Sequence, residues 1–168
     1  MATENIKSTQ VTNADATPVD LTPAYLSKGV VRESIGLCEA ASGDAGSTYR
    51  AVRVWSGWRP SAVYLATDDM GSTGGTANIG LYDIAANGGA DVDQDLFGSA
   101  VDVVTAAVSE TNVLHESGVV NIDDSEKRIF EMLGLTEDPK KWYDLVVTSA
   151  GAAFAGTIKV RFQFVDGT

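Results

Sequence analysis

The residue types that most often perform catalysis are scarce in this sequence. His115 is the single histidine and Cys38 the single cysteine, and no Gly-x-Ser-x-Gly motif supplies a nucleophilic serine. The histidine, in NVLHES, has no nucleophile or orienting partner beside it in the chain, and Cys38 lies in an apolar segment where a thiol behaves as a small hydrophobic residue. We therefore predict no catalytic residue, no internal disulfide and no cysteine-based metal site.

Carboxylates are the one reactive group that is abundant. A glycosidase needs an acid of raised pKa in a sugar-binding cleft, whereas these aspartates fall in predicted loops and strand ends, where they stay solvated. Asp91, Asp93 and Asp95 repeat at the spacing of the first three ligands of a calcium loop. Asp102 follows at the twelfth position, but Leu96 stands where such a loop needs glycine, and no helix flanks it. The prediction is a solvated acidic loop without metal or other cofactor, with calcium as the alternative.

Aromatic residues offer a different kind of site. Trp55 and Trp58 bracket a Ser-Gly pair just before Pro60. Core packing is one interpretation, and an exposed anchor at a protein interface, with Arg53 and Arg59 adjacent, is another. A sugar-stacking platform that adds Tyr64 is the third.

Composition and charge exclude several classes of partner. The chain has 168 residues, of which 44% are hydrophobic and 21% charged, enough for one domain with a sizeable core. Its net charge of −11 repels phosphate backbones and anionic headgroups, so we predict neither a nucleic-acid nor a membrane partner. The polar N-terminus has no signal-peptide pattern, and no apolar run approaches the roughly 20 residues of a membrane span, so we expect a soluble protein made in a cytoplasm.

Short β-prone segments separated by turns dominate the chain. The stretch 77–106 contains two apolar runs joined by a Gly- and Asp-rich connection, which predicts paired strands, and residues 157–165 alternate most regularly. The other predicted strands are 30–39, 49–55, 61–67, 112–116, 118–122 and 143–149. Residues 150–156 predict a hairpin connection between the last two strands. The sequence thus predicts a mostly β fold, an antiparallel, jelly-roll-like β-sandwich over residues 29–168.

Two segments depart from the β pattern. EKRIFEMLGL, from Glu126, carries apolar residues at helical spacing, with Asp124 or Ser125 as N-cap and Gly134 after its end, which predicts one short helix of about three turns. Residues 1–28 are polar and contain two prolines, so they predict an extended N-terminal arm. Four apolar residues of this arm are candidates for docking onto a neighbour: Val19, Leu21, Tyr25 and Leu26.

Four motifs give the chain a family resemblance. They are IGLY at residues 79–82, GGADVDQDLFGSAV at 88–101, LGLTEDPKKWYDLVVT at 133–148 and AGTIKVRFQFV at 155–165. In these the chain, over about residues 50–165, resembles small structural proteins of tailed bacteriophages, which look like head decoration or cement proteins.

The resemblance implies a non-enzymatic virion protein on the capsid exterior, made in a bacterial host and bracing neighbouring subunits of the major capsid protein. Self-association as a dimer or trimer is a further expectation. A tail or head-fibre part and a carbohydrate-binding module on the virion remain as alternatives. The predicted partner interface comprises the four arm residues named above with Arg53, Trp55, Trp58 and Arg59.

Overall fold

The computed structural model describes residues 6–71 and 74–166. This part of the chain contains two α-helices, α1 (Thr9–Asp15) and α2 (Ile129–Met132), and two 3-10 turns at Ala85–Asn87 and Ile122–Asp124. The strands are β1 (Val31–Gly43), β2 (Thr48–Trp55), β3 (Arg59–Thr67), β4 (Thr76–Asp83), β5 (Asp91–Asp102), β6 (Val108–Asn112), β7 (Trp142–Ala150) and β8 (Phe154–Val165).

The strands form two antiparallel four-stranded sheets. Sheet A has the order β1-β8-β3-β6 and sheet B the order β2-β7-β4-β5. Sequence neighbours mostly lie in different sheets, and β4 and β5 are the one consecutive pair that shares a sheet in the described chain. This order is that of a jelly roll, so the predicted fold class is confirmed.

Alternating burial places the core between the sheets. In β8 the side chains of Ile158, Val160, Phe162 and Phe164 are buried, and the residues between them are half-buried, as the alternation predicts. β7 differs, because its residues from Tyr143 to Ser149 are all buried. Both faces of this strand are therefore covered.

The second cover over sheet B comes from β5. A Cβ atom at Gly80 would lie 2.1 Å from the carbonyl oxygen of Asp93, so the start of β5 passes directly over β4 there. The hydroxyl of Tyr82 lies 3.4 Å from Oε1 of Gln94 and 3.0 Å from Oγ1 of Thr148 on β7. The paired strands predicted within 77–106 are confirmed, but Asp91–Asp95 belongs to β5 and is not the predicted loop.

Three local predictions are wrong. Residues 113–121 form turns and bends and contain no strand, and the strand of this region is β6, which ends at Asn112. The predicted three-turn helix is one turn long, and its N-cap is Arg128, whose backbone N–H donates to Glu131. Residues 150–156 join β7 in sheet B to β8 in sheet A and so do not form a hairpin.

The arm is partly helical rather than extended. Residues 1–5 lie outside the described residues. Helix α1 begins after Ser8, whose Oγ accepts from the backbone N–H of Val11, and the chain then folds back so that Asp20 N–H donates to the Asn13 carbonyl. No residue of α1 is buried.

Candidate docking surface

A mixed cationic and aromatic surface lies on the outer face of sheet B. Val52 and Val54 point into the core, so the alternation of β2 turns Arg53 and Trp55 outward. They pair across the sheet with Asp144 and Trp142 of β7. We name these four residues, together with Arg50, the β2–β7 strip.

Two arginines of the strip share one carboxylate. Arg50 Nη1 lies 3.0 Å from Oδ2 of Asp144, and Arg53 Nε lies 2.9 Å from Oδ1. The Asp144 side chain is 8% exposed, whereas the Arg50 and Arg53 side chains are 33% and 56% exposed. The hydrogen bond to Asp144 raises the pKa of Arg53. The two arginines and the one aspartate together carry a net charge of +1.

Arg50 is held by the β4–β5 connection as well. Its Nη1 donates to the Asp83 carbonyl at 2.8 Å and its Nη2 to the Gly89 carbonyl at 2.7 Å. A shallow depression of about 460 Å³ lies here, lined by Arg50, Ala51, Val52, Arg53, Ala85 and Asp144. Arg50 thus acts as a structural clamp, and Arg53 is the cation that faces solvent.

The aromatic end of the strip is supported from the core. Trp58 stacks on Phe164 with ring centroids 3.8 Å apart, and Trp142 packs edge-on against Trp58 at 5.5 Å. Trp55 in turn packs against Trp142 at 5.0 Å. Trp142 is 40% exposed, so this column of rings ends at the surface. A rigid exposed tryptophan is a typical anchor of a protein interface.

The turn that carries Trp55 and Trp58 is itself fixed. Fully buried Ser56 donates its N–H to the Lys141 carbonyl at 3.0 Å, and its own carbonyl accepts from Phe130 of α2 at 3.0 Å. Ile129 N–H likewise donates to the Trp58 carbonyl at 2.9 Å. The short helix therefore positions the aromatic column.

The predicted interface residues occupy two places. Arg59 lies away from the strip and attaches the arm, since its Nε donates to the Tyr25 carbonyl at 2.8 Å while Arg128 lies over the Tyr25 ring at 5.2 Å. Tyr25 and Leu26 are half-buried. Val19 and Leu21 are 63% and 92% exposed, which leaves the outer part of the arm with uncovered apolar side chains.

Tyr64 is on the other side of the sandwich. It lies beneath Arg161 on the outer face of sheet A, with the guanidinium carbon 4.3 Å from the ring centre. Trp58 packs into the core, so Trp55, Trp58 and Tyr64 do not form one sugar-stacking surface. The exposed Ile35 and Leu37 of β1 lie on this same face of sheet A.

The residues first considered for chemistry have ordinary surroundings. His115 Nδ1 lies 3.1 Å from the backbone carbonyl oxygen of Val120. The Cys38 thiol faces the Arg50 carbonyl at 3.6 Å, and burial raises its pKa. No group of three or more His, Cys, Asp or Glu side chains in residues 6–71 and 74–166 is arranged to hold a metal ion.

Two of the three aspartates with the calcium-like spacing, Asp93 and Asp95, bond to groups of β5 itself. Asp93 Oδ1 accepts from the N–H of Asp95, and burial raises the pKa of Asp93. Asp95 Oδ2 accepts from the Ser99 hydroxyl at 3.1 Å. These bonds tie Asp93 and Asp95 to their own strand, and among the described residues no carboxylate cluster here is arranged around a metal ion.

Sequence reasoning missed Asp144 and the exposed pair Ile35 and Leu37. Asp144 interrupts the apolar run YDLVV, and a charged residue inside a buried strand signals an ion-pair partner elsewhere. The apolar residues of β1 at both odd and even positions signal two apolar faces. In the described part of the chain, no helix combines the length and hydrophobicity needed to cross a bilayer.

Comparison with known proteins shows one chain of a phage capsid with a similar fold. No family model matches the chain, and no curated protein matches it in sequence. A chain of the capsid of Ralstonia phage GP4 is similar in structure, with a TM-score of 0.56 and 16% identity over 83% of this chain and 86% of that one. A chain of the capsid asymmetric unit of cyanophage Pam1 gives a TM-score of 0.48 and 16% identity over 82% and 85%. The chain thus shares its fold with a chain of a phage capsid.

Proposed function

We propose that this protein is a non-enzymatic structural component of a phage virion, a cement protein that binds the capsid exterior and braces subunits of the major capsid protein. The observation that carries the proposal is the shared jelly-roll fold with a chain of the Ralstonia phage GP4 capsid over most of both chains. The motif resemblance supports the same role.

The arm and the β2–β7 strip are the contact surfaces of this proposal. Ile6 and Leu21 of the arm are 83% and 92% exposed, which costs free energy until a partner covers them. Each contact need only be modest, because many copies bind one lattice. A protein that binds assembled subunits and not free ones shifts the equilibrium toward the shell.

Removing the arm tests the proposal. Deletion of residues 2–24, of which 2–5 lie outside the described residues, keeps Tyr25 and its contacts with Arg59 and Arg128. We expect the truncated chain to unfold at the same urea concentration as the full chain and to occupy capsids less. Cryo-electron microscopy of particles would reveal the location, and undiminished occupancy by the truncated chain would contradict the role of the arm.

A further inference from the structure

The Arg53 guanidinium on the β2–β7 strip has unused hydrogen-bonding capacity. Among the described residues, Arg53 is the arginine whose two terminal nitrogens both lack a hydrogen-bond partner, while its Nε binds Asp144. The other five arginines each use at least one terminal nitrogen. They are Arg32, Arg50, Arg59, Arg128 and Arg161.

The unused donors are not balanced by the protein's own acids. Asp144 is already shared with Arg50, which takes its other oxygen. On sheet A, by contrast, Arg161 bonds to both Glu33 and Glu110, and Lys159 pairs with Glu110. The cations on that face are therefore neutralised by nearby carboxylates, whereas the β2–β7 strip keeps an excess positive charge.

Asp144 also fixes the direction of the guanidinium. The bond to Nε holds one edge of the planar group, so the edge with the two terminal nitrogens stays available as a pair of parallel donors. That spacing matches the two oxygens of a carboxylate. Trp55 and Trp142 lie next along the same face and supply an apolar wall two residues away.

We propose that Arg53 binds a carboxylate side chain from an acidic segment of a neighbouring shell subunit, whose adjoining apolar residue packs on Trp55 and Trp142. The identity of the neighbour as a shell subunit rests on the proposed function. The chemistry of the ligand rests on the strip alone.

A peptide titration tests the ligand chemistry. The isotope-labelled full chain is titrated with Ac-Ala-Asp-Leu-NH2 and, as matched control, Ac-Ala-Asn-Leu-NH2, while NMR follows the Arg53 Nε–H and the indole N–H of Trp55 and Trp142. We expect saturable shifts with the Asp peptide and at least about tenfold weaker binding of the Asn peptide, because a charge-assisted bond is lost. Equal binding of both peptides, or tighter binding of inorganic phosphate, would overturn the proposal.

Variants locate the site. Arg53→Gln should weaken the Asp peptide about tenfold and Arg53→Lys should restore only part of the affinity, because an ammonium lacks the two-pronged geometry. Arg32→Gln removes the same charge from β1 of the other sheet and should change nothing. Unchanged affinity in Arg53→Gln would refute the assignment, as would self-association of the free chain that Arg53→Gln abolishes, since a second copy would then supply the acid.

Attachment to particles separates this inference from the proposed function. If the full chain occupies shells and Arg53→Gln occupies them equally, the carboxylate contact is wrong and the virion role stands. If the full chain fails to attach while the peptide result holds, the virion role is wrong and the binding site stands. Reduced occupancy in Arg53→Gln, with normal occupancy in Arg32→Gln, supports both.

Discussion

Replacing the shared carboxylate of the strip is the sharpest test of how sheet B is held together. Asp144→Asn keeps the size of the side chain and removes its charge from between Arg50 and Arg53, which lie 3.0 and 2.9 Å away. The Asn amide still offers one oxygen, but its NH2 group then faces an arginine N–H, and two donors cannot bond to each other.

The size of the effect follows from burial. A hydrogen bond to a charged group contributes about 1.5–3 kcal/mol when shielded, and Asp144 is 8% exposed. Arg50 keeps its bonds to the Asp83 and Gly89 carbonyls, so its charge is not left without partners. We therefore expect a loss of about 2 kcal/mol in the free energy of unfolding, below the roughly 3–5 kcal/mol of a fully stranded buried charge.

Urea unfolding at neutral pH measures this loss. The midpoint should fall without a change in slope, and the thermal midpoint should fall by about 4–8 °C for a chain of this size. Arg53→Gln should leave the midpoint nearly unchanged, because that side chain is 56% exposed. A double-mutant cycle with Arg50→Met should give a coupling of about 1 kcal/mol or more. A loss below about 0.5 kcal/mol, or one that disappears in about 0.5 M NaCl, would refute a shielded ion pair.

Three further predictions concern other parts of the chain. Gly80→Ala should lower the free energy of unfolding by roughly 3 kcal/mol, because its Cβ meets the Asp93 carbonyl at 2.1 Å; an unchanged urea midpoint would contradict the crossing of β5 over β4. Hydrogen bonding to Arg128 lowers the pKa of Glu131 below its ordinary 4.5, so its stabilisation is complete above that pH and is lost as the pH falls through the lower folded value. Glu131→Gln should therefore lose less stability than the parent between pH 7 and acid, and parallel pH profiles would exclude the effect. Arg59→Gln removes the bond to the Tyr25 carbonyl and should speed proteolysis of the arm relative to Arg32→Gln, whereas equal cleavage rates would show that the arm is held elsewhere.

Local patterning predicted much of the fold. Alternation in residues 157–165 identified the buried and exposed faces of β8, and the turn spacing indicated a sandwich. The length of the helix was overestimated. The backbone N–H groups of Ile129 and Phe130 donate to the Trp58 and Ser56 carbonyls, and only the single turn Ile129–Met132 is helical. The arm helix was missed because polar sequences such as TQVTNAD carry little periodic signal.

The candidate site was only partly predictable. Arg53 and Trp55 are two apart in the chain, so alternation alone assigns them to one face of β2. Their partners Asp144 and Trp142 come about ninety residues later, and no local sequence pattern indicates that β7 lies beside β2. Arg59 lies six residues after Arg53 in the sequence, yet the turn after Trp55 carries it into sheet A, where it holds the arm.

The sequence by itself determined the class of fold, the acidic surface and the residues that face the core, because period-two patterning and charge act over a few neighbouring residues. The tertiary structure decided which strands are adjacent, that the start of β5 crosses over β4, and that two arginines meet a single carboxylate. These features depend on contacts between residues far apart in the chain, whose geometry is set by the packing of both sheets together.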